Sequence, residues 1–402
     1  MAEILSQPKR YAPLWLMGMS NMTLGLFGGF IFVPLPQMLA AQGVPEGYIT
    51  AIVATCLSPG FWGFALGPLL DVRFSRRWYA TLFAILAGAI MAASILSQHH
   101  MRTMETLLII GYASAMLSSN ALGGWLGTIV RREDEAQLSA WTQVGSYLGY
   151  ALMAVLPGEL SRVLPPSDVA PLLGTLVVLP AIIFLWMPVP LENLTQAKRL
   201  AESFGAFGRE LLTLFKRREV LLALPLFLLP TGSFAMTNNL GGIGQDFHAS
   251  PQFVSRISAL MIMLAGVFGC LLLPLLAKKI RILPLYFVVG IVGALFTLSL
   301  LALPHVPKTF ATAILGENIF QALSFSTCVA ITFDTIGRNN PLAATQFGLL
   351  TSATALPISY MGALDGWAYG HGGLRGELRI DALVSLAACV ALLPLVRLMR
   401  KE

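Results

Sequence analysis

Apolar stretches of roughly 20 residues recur along almost the whole chain, and this recurrence constrains the fold more than any other feature. An α-helix of that length, rising about 1.5 Å per residue, crosses the ~30 Å hydrocarbon core of a bilayer. Charged residues make up only 11% of the sequence, whereas soluble domains carry about 25%. The sequence therefore predicts an all-α polytopic membrane protein embedded in a lipid bilayer.

The apolar stretches fall into two sets of six, separated by a polar interval. We predict twelve transmembrane helices near residues 13–35, 47–70, 78–97, 104–130, 137–157, 167–188, 220–240, 253–276, 284–304, 308–333, 343–365 and 378–397. They divide the chain into an N-terminal six-helix bundle (1–189), a cytoplasmic linker (190–219) and a C-terminal six-helix bundle (220–402). Apolar residues at three- and four-residue steps among basic ones predict that the linker is an amphipathic helix on the membrane surface.

Basic residues are distributed unevenly between the predicted loops. With a cytoplasmic N-terminus, 20 of the 26 Lys and Arg residues fall in inner loops and tails, and six fall in outer loops. Cytoplasmic loops of membrane proteins carry such an excess. The distribution predicts that both termini are cytoplasmic and that the number of spans is even. We call the membrane side that carries the basic loops the basic face, and the other side the opposite face.

A short charged link joins the second and third spans, with Gly67, Asp71, Arg73, Arg76 and Arg77 in the order Gly-x-x-x-Asp followed by arginines. It resembles the loop between the second and third helices of major facilitator transporters. That resemblance implies the major facilitator fold, in which two six-helix bundles face a central cavity. We expect Asp71 to pair with basic or helix-end partners across an inner gate and to stabilise the outward-facing state; a solvated turn is the alternative.

Ionisable side chains inside the predicted spans are rare, and Glu317 is the one that the sequence places near the midplane. The tenth span begins near residue 308, so Glu317 lies about 14 Å deep. A charge there costs at least about 2.5 kcal/mol and therefore indicates function. Glu317, Gln321 and Ser324 share one helix face next to Asn318, which predicts a cavity-lining stripe for proton coupling or for a cationic solute group. A protonated or hydrogen-bonded packing residue is the alternative.

Other polar side chains within the spans are candidates for contact with a solute. Gln143, Tyr147 and Tyr150 share one face of the fifth span, where interfacial anchoring is the alternative. The spacing of Gly123 and Gly127 is typical of helix packing. The further candidates are Asn21, Asn120 and Asn238.

Several classes of function are not indicated. The sequence contains no P-loop, no catalytic triad pattern and no metal-binding motif. Its four cysteines lie singly in apolar stretches, which predicts buried thiols. The chain is therefore predicted to have no enzymatic activity, no cofactor and no nucleic-acid partner, and its transport is predicted to be driven by an ion or solute gradient. We expect a monomer, although no sequence feature bears on the oligomeric state.

A second resemblance covers about 50 residues near the C-terminus. Glu317-Asn318, the segment 344–352 and Gly362-x-x-x-Gly366-Trp367 are similar to AmpG-type muropeptide permeases and the related acetyl-CoA transporters and siderophore importers. The resemblance implies proton-driven uptake of a bulky polar solute, such as a muropeptide or siderophore, across the bacterial inner membrane. Those permeases carry two acids in the fourth span, and the segment 119–124 here has none. An exporter or uniporter without proton coupling and a non-transporting sensor remain alternatives.

Overall fold

The computed structural model describes residues 12–71, 74–189, 218–232, 243–257, 261–337 and 340–399. The regular elements in these ranges are helices. We label the long ones α1 (Leu14–Ala41), α2 (Gly47–Asp71), α3 (Arg76–Leu96), α4 (Met101–Ile129), α5 (Glu135–Leu160), α6 (Pro166–Trp186), α7 (Arg218–Leu228), α8 (Ile262–Ala277), α9 (Ile282–Ala302), α10 (Pro307–Ile336) and α11 (Ala343–Met399). Arg73, Asn238 and residues 190–217 of the predicted linker lie outside the described residues.

Seven helices in the described ranges are long and apolar enough to cross a membrane: α1 to α4, α6, α9 and α10. Each overlaps one of the predicted spans. The helices α5 and α8 cover the predicted fifth and eighth spans, and α7 covers the beginning of the seventh. Large apolar side chains are exposed on the outer surface, as lipid contact requires; examples are Leu82, Leu185, Phe268 and Val390.

The last two predicted spans differ from the observed helices. The prediction separates 343–365 from 378–397 by a loop, but α11 remains helical through most of that interval and reverses direction at Gly373 (φ 58°, ψ −159°). A Cβ atom at Gly376 would lie 2.6 Å from the carbonyl oxygen of Ala368, so the two limbs of α11 pack closely beside the turn. Glycine reaches this backbone conformation without steric cost, so a long polar loop is not needed.

Several helices of the N-terminal part contain irregular segments, and α6 ends as a 3₁₀-helix from Leu179 to Trp186. The helix α1 is interrupted at Ser20 and Asn21, and it breaks again before Pro34. The end of α2 is a 3₁₀-helix from Gly63 to Asp71 that contains Pro68. Proline lacks the backbone N–H that an α-helix would use, which favours such a change.

The helices pack in two groups, which we call the N-terminal half (α1–α6) and the C-terminal half (α7–α11). In the first, α3 packs on α4 and α6, and α1 packs on α5; in the second, α10 packs on α8 and α9, and α9 packs on α11. The halves meet where α5 packs on α8 and α10, and where α2 and α4 pack on α11.

Candidate functional site

Asp71, the last residue of α2, joins the two halves on the basic face. Its Oδ1 accepts hydrogen bonds from Arg76 Nε (2.9 Å) and from the backbone N–H of Ala344 (3.1 Å). Its Oδ2 accepts from the backbone N–H and the hydroxyl of Thr345 (2.8 Å each). Because α11 begins at Ala343, these N–H groups belong to its first turn, where donors lack intrahelical partners and an anion is favoured. The structure thus contains the helix-end contact expected for Asp71, and its effect on transport remains a prediction.

Arg76 extends this contact to the loop that precedes α11. Its Nη2 donates to the carbonyl oxygens of Asn340 and Pro341, both at 3.0 Å. The side chains of Arg76 and Asp71 are 8% and 0% exposed. Removing one partner of a buried ion pair costs about 3–5 kcal/mol because the other charge stays buried. Arg77 is half-buried beside this pair on α3.

The loop before α11 is ordered by its own hydrogen bonds. Asn340 Nδ2 donates to Gln346 Oε1 (2.6 Å), and Asn340 Oδ1 accepts from the backbone N–H of Leu342 (3.0 Å). Gln346 Nε2 in turn donates to the carbonyl oxygen of Thr335 (3.1 Å). Asp71 and Arg76 therefore contact a preorganised loop, and the motif at 344–346 builds part of this contact.

Glycines of the N-terminal half allow α10 and α11 to approach closely. A Cβ atom at Gly124 would lie 2.4 Å from the backbone nitrogen of Ala344, and one at Gly127 would lie 3.1 Å from Ile336. The interpretation of Gly123 and Gly127 as packing residues agrees with these distances. A Cβ atom would come within 2.8 Å of α11 at Gly67, Gly123 and Gly124.

A second ion pair crosses between the halves on the basic face. Arg132 Nε lies 3.0 Å from Asp334 Oδ1, and both side chains are exposed, so the pair contributes little to stability. Glu135 lies next to it at the start of α5 and is only 6% exposed. Burial, and then the charge of Asp334, raise the pKa of Glu135 to about 8, against a smaller opposing effect of Arg132.

We expect closure of the basic face to weaken as pH rises. When the face opens and water reaches Glu135, its pKa falls towards the ordinary value of 4.5. The closed state therefore favours the protonated acid, and this stabilisation declines from about pH 4.5 and is lost above about pH 8. After correction for the intrinsic, base-catalysed pH dependence of amide exchange, hydrogen–deuterium exchange of the 340–346 backbone should accelerate across this range. Glu135→Gln should remove most of this remaining pH dependence. An unchanged pH dependence in the variant would contradict the assignment.

Asn21 connects three helices at the interruption of α1. Its Nδ2 donates to Ser146 Oγ (2.9 Å) on α5, and its Oδ1 accepts from Ser119 Oγ (2.7 Å) on α4. The amide retains one more N–H and one more lone pair for a further hydrogen bond. Unwound helix segments near the midplane are typical of transporter binding sites, so this cluster is a candidate solute contact.

Asn120 lies on α4 where it meets α11. The residue is 1% exposed, and its Nδ2 has no hydrogen-bond partner among the described residues. It sits against Gly348, whose added Cβ would lie 2.7 Å from this nitrogen. An unsatisfied buried donor costs about 1–3 kcal/mol, so Asn120 is a candidate donor to water or to a solute.

The predicted stripe on α5 is divided between two environments. Tyr147 packs against Gly266 of α8, where an added Cβ would lie 2.8 Å from the tyrosine ring. Tyr150 instead packs on Phe32 of α1, with ring centroids 5.7 Å apart. Gln143 is half-buried. Tyr147 is thus a contact between the halves, and Tyr150 is a contact within one half.

Glu317 is fully buried in α10, about 15 Å from the helix end on the opposite face. Thr297 Oγ1 on α9 donates to its Oε1 (3.1 Å). Asn318 is also buried, and its Nδ2 donates to the carbonyl oxygen of Ile314 (2.9 Å), whereas Gln321 is half-buried.

A small cavity of about 40 Å³, room for a few water molecules, lies within the C-terminal half. Its wall is mainly apolar, and its polar lining residues are Thr231, Tyr286, Ser324, Thr354 and Asp381. The hydroxyl of Thr231 donates to the hydroxyl of Tyr286, which donates to the carbonyl oxygen of Leu226 (2.8 Å). Ser324, one of the residues on the predicted face of α10, therefore lines a cavity.

The sequence interpretation missed three buried acids. It placed Asp365 at a span end and did not consider Glu377 or Asp381, but all three are at most 1% exposed. The missed signal was periodicity: Glu377, Asp381 and Ser385 follow each other at four-residue steps, which places them on one face of a helix.

Comparison with models of protein families identifies one family. The model described as Major Facilitator Superfamily matches residues 15–359. No curated protein sequence matches the chain significantly.

Solved transporter structures resemble this fold over nearly the whole chain. The Escherichia coli fucose:proton symporter FucP has a TM-score of 0.73 at 13% identity, covering 94% of this chain and 97% of that one. The human organic anion transporter TETRAN has a TM-score of 0.68 at 16% identity, with coverages of 96% and 100%. The proton:xylose symporter XylE has a TM-score of 0.65 at 14% identity, with 94% of both chains covered. These likenesses confirm the predicted fold.

Proposed function

The chain belongs to the major facilitator superfamily of secondary transporters, and we propose that it imports a bulky, amphiphilic solute together with protons. The observation that carries proton coupling is the complete burial of Glu317 within α10. A carboxylate at that depth is costly when ionised and can alternate between a protonated and an ionised state as its surroundings change. The relatives FucP and XylE are described as proton symporters, which supports the same coupling here.

Alternating access is the mechanism that the contacts between the halves favour. On the basic face, Asp71 and Arg76 bind the start of α11 through hydrogen bonds that can break and re-form without disturbing the cores of the two halves. With this contact intact, the basic face is closed, and we assign the structure to the outward-facing side of the cycle. The excess of basic residues on this face supports a cytoplasmic location for it and for both termini, as expected in a bacterial inner membrane.

The proposed solute class rests first on the resemblance to muropeptide permeases. The small cavity of the C-terminal half adds apolar walls and hydroxyl groups, which suit parts of an amphiphilic solute once the halves move apart. The resemblance of Glu317-Asn318 and Gly362–Trp367 to muropeptide permeases supports a muropeptide or a siderophore. The part of that resemblance at 344–346 carries less weight for the solute, because those residues bind Asp71 and Asn340 on the basic face.

Proteoliposomes containing a pH-sensitive dye test this proposal. We expect a muropeptide fragment or a siderophore to cause proton entry in protein-containing vesicles and not in empty ones. In Glu317→Gln, accumulation driven by a pH gradient should fall at least tenfold, while exchange of labelled for unlabelled solute should continue. Glu159→Gln, in an exposed ion pair of the opposite face, is the matched control.

Survival of pH-driven accumulation in Glu317→Gln would refute the coupling role of this residue. Solute entry without proton movement in the wild type would instead identify a uniporter. Absence of binding and transport with both solute classes would favour a sensor.

A further inference from the structure

A group of three buried acids adjoins the cavity of the C-terminal half, which Asp381 lines. Asp365, Glu377 and Asp381 occupy the two limbs of α11 around Gly373. Asp365 and Asp381 are eight positions before and eight positions after that glycine, so each lies about 12 Å from the turn along its own limb. Because the limbs pack against each other at Ala368 and Gly376, the two acids lie at about the same depth, and they are near enough for Asp381 to act electrostatically on Asp365.

Asp365 is buried without stabilising partners. It is 0% exposed, and within the described part of the chain neither of its carboxylate oxygens has a hydrogen bond. Ser385, one turn beyond Asp381, is also fully buried, and its hydroxyl has no described partner. Burying an isolated carboxylate costs far more than burying a neutral acid, and the nearby acids Asp381 and Glu377 increase the cost further.

The groups around Asp365 favour a proton as the neutralising ligand. Glu377 and Asp381 act on it electrostatically from its own hairpin. Towards the opposite face, the hydroxyl of Tyr369 donates a hydrogen bond to Asp246 (2.8 Å). Arg375 and Arg379 are exposed on the same side. On the side of α9 and α10, Tyr286 and Cys328 line the cavity together with Asp381. Among the described residues, no three acidic, histidine or cysteine side chains converge closely enough to hold a metal ion.

We propose that Asp365 and Asp381, assisted by Glu377, form a second proton-binding site, separate from Glu317. This site lies in the part of α11 that is nearer to the opposite face of the membrane. The site adjoins the cavity of the C-terminal half because Asp381 lines that cavity. A solute group near Asp381 therefore alters the energy of holding a proton on the pair. This inference rests on the proposed proton coupling, to which it adds a specific loading site.

Infrared difference spectroscopy of the purified protein tests the site without any solute. With Asp365 intact, near neutral pH we expect a C=O stretching band of a protonated, buried carboxylic acid that disappears at alkaline pH. The buried acids Glu135 and Glu317 would add bands of their own, so all spectra are recorded in a Glu135→Gln/Glu317→Gln background. In that background the band should be lost in Asp365→Asn and shifted in frequency in Asp365→Glu, which keeps an acid in case the asparagine variant folds poorly. Asp246→Asn, in the exposed pair with Tyr369, is the control and should leave the band unchanged.

The outcomes separate this inference from the proposed function. A band that is absent with Asp365 intact, or that persists in full in Asp365→Asn with normal folding, overturns the second proton site whatever the vesicle assays show. A band that is lost at neutral pH when Na⁺ replaces choline identifies a metal cation as the ligand and also overturns it. If Glu317→Gln loses proton-driven transport and keeps the Asp365 band, the second site binds its proton independently of Glu317, as the inference requires.

Discussion

Asp71→Asn is expected to release the basic face and to slow transport at least tenfold. The substitution removes the charge that pairs with Arg76 and leaves one acceptor for the donors of Ala344, Thr345 and Arg76. A hydrogen bond to a charged group contributes about 1.5–3 kcal/mol, and a loss of about 2 kcal/mol changes the equilibrium about 30-fold. Hydrogen–deuterium exchange of residues 343–346 should accelerate by a similar factor, and affinity for solute in the outward-facing state should stay nearly unchanged.

Two comparisons test the gate interpretation of Asp71. Glu159→Gln removes an exposed carboxylate on the opposite face and should change neither exchange at 343–346 nor transport. If Asp71→Asn accelerates exchange equally in α3 and α6, the residue stabilises the whole fold and not a gate. A large loss of solute affinity would also contradict the gate role.

Gly124→Val is expected to prevent closure of the basic face. The first atom of the new side chain would lie 2.4 Å from the backbone nitrogen of Ala344 and 2.6 Å from its Cα atom. Backbone atoms cannot rotate away as a side chain can, so α4 and α11 must separate. Overpacking of this kind costs about 1–3 kcal/mol, and the separation removes the hydrogen bonds of Asp71 as well. We expect spin labels at exposed Glu133 and Lys279 to move apart and solute uptake to fall to a few per cent of wild type.

Gly60→Val provides the matched control for this substitution. Gly60 lies in α2, and an added Cβ would meet no atom within 4 Å. We expect Gly60→Val to leave both the distance between the two spin labels and the rate of solute uptake unchanged. An unchanged label distance in Gly124→Val would mean that the close approach of α4 and α11 does not occur in the membrane.

The contact of Asp71 with the start of α11 also changes the interpretation of the segment 344–352, which resembles muropeptide permeases. Ala344 and Thr345 bind Asp71, Gln346 orders the preceding loop, and Phe347 packs over Gly123. These residues hold the two halves together on the basic face. A transporter needs such a contact whichever solute it carries. Similarity at this motif therefore indicates a shared gate more directly than a shared solute.

The sequence by itself determined the membrane class, the approximate position of the helices and the place of the charged link between α2 and α3. Those conclusions depend on local properties, since a helix must be apolar over about 20 residues to cross a bilayer and charges must collect at its ends. The same reasoning identified Glu317, because one acid in a long apolar stretch is visible without knowing what surrounds it.

Only the tertiary structure decided which polar residues meet. The Asp71–Thr345 contact joins positions 274 residues apart, and helix periodicity gives a face without saying which neighbour that face contacts. The stripe on α5 was divided for this reason: Tyr147 meets the other half and Tyr150 its own. The turn at Gly373 brings Asp365 opposite Asp381, and the sequence pattern had predicted a loop there. Side-chain burial is a property of packed helices, and it requires the positions of all the neighbours.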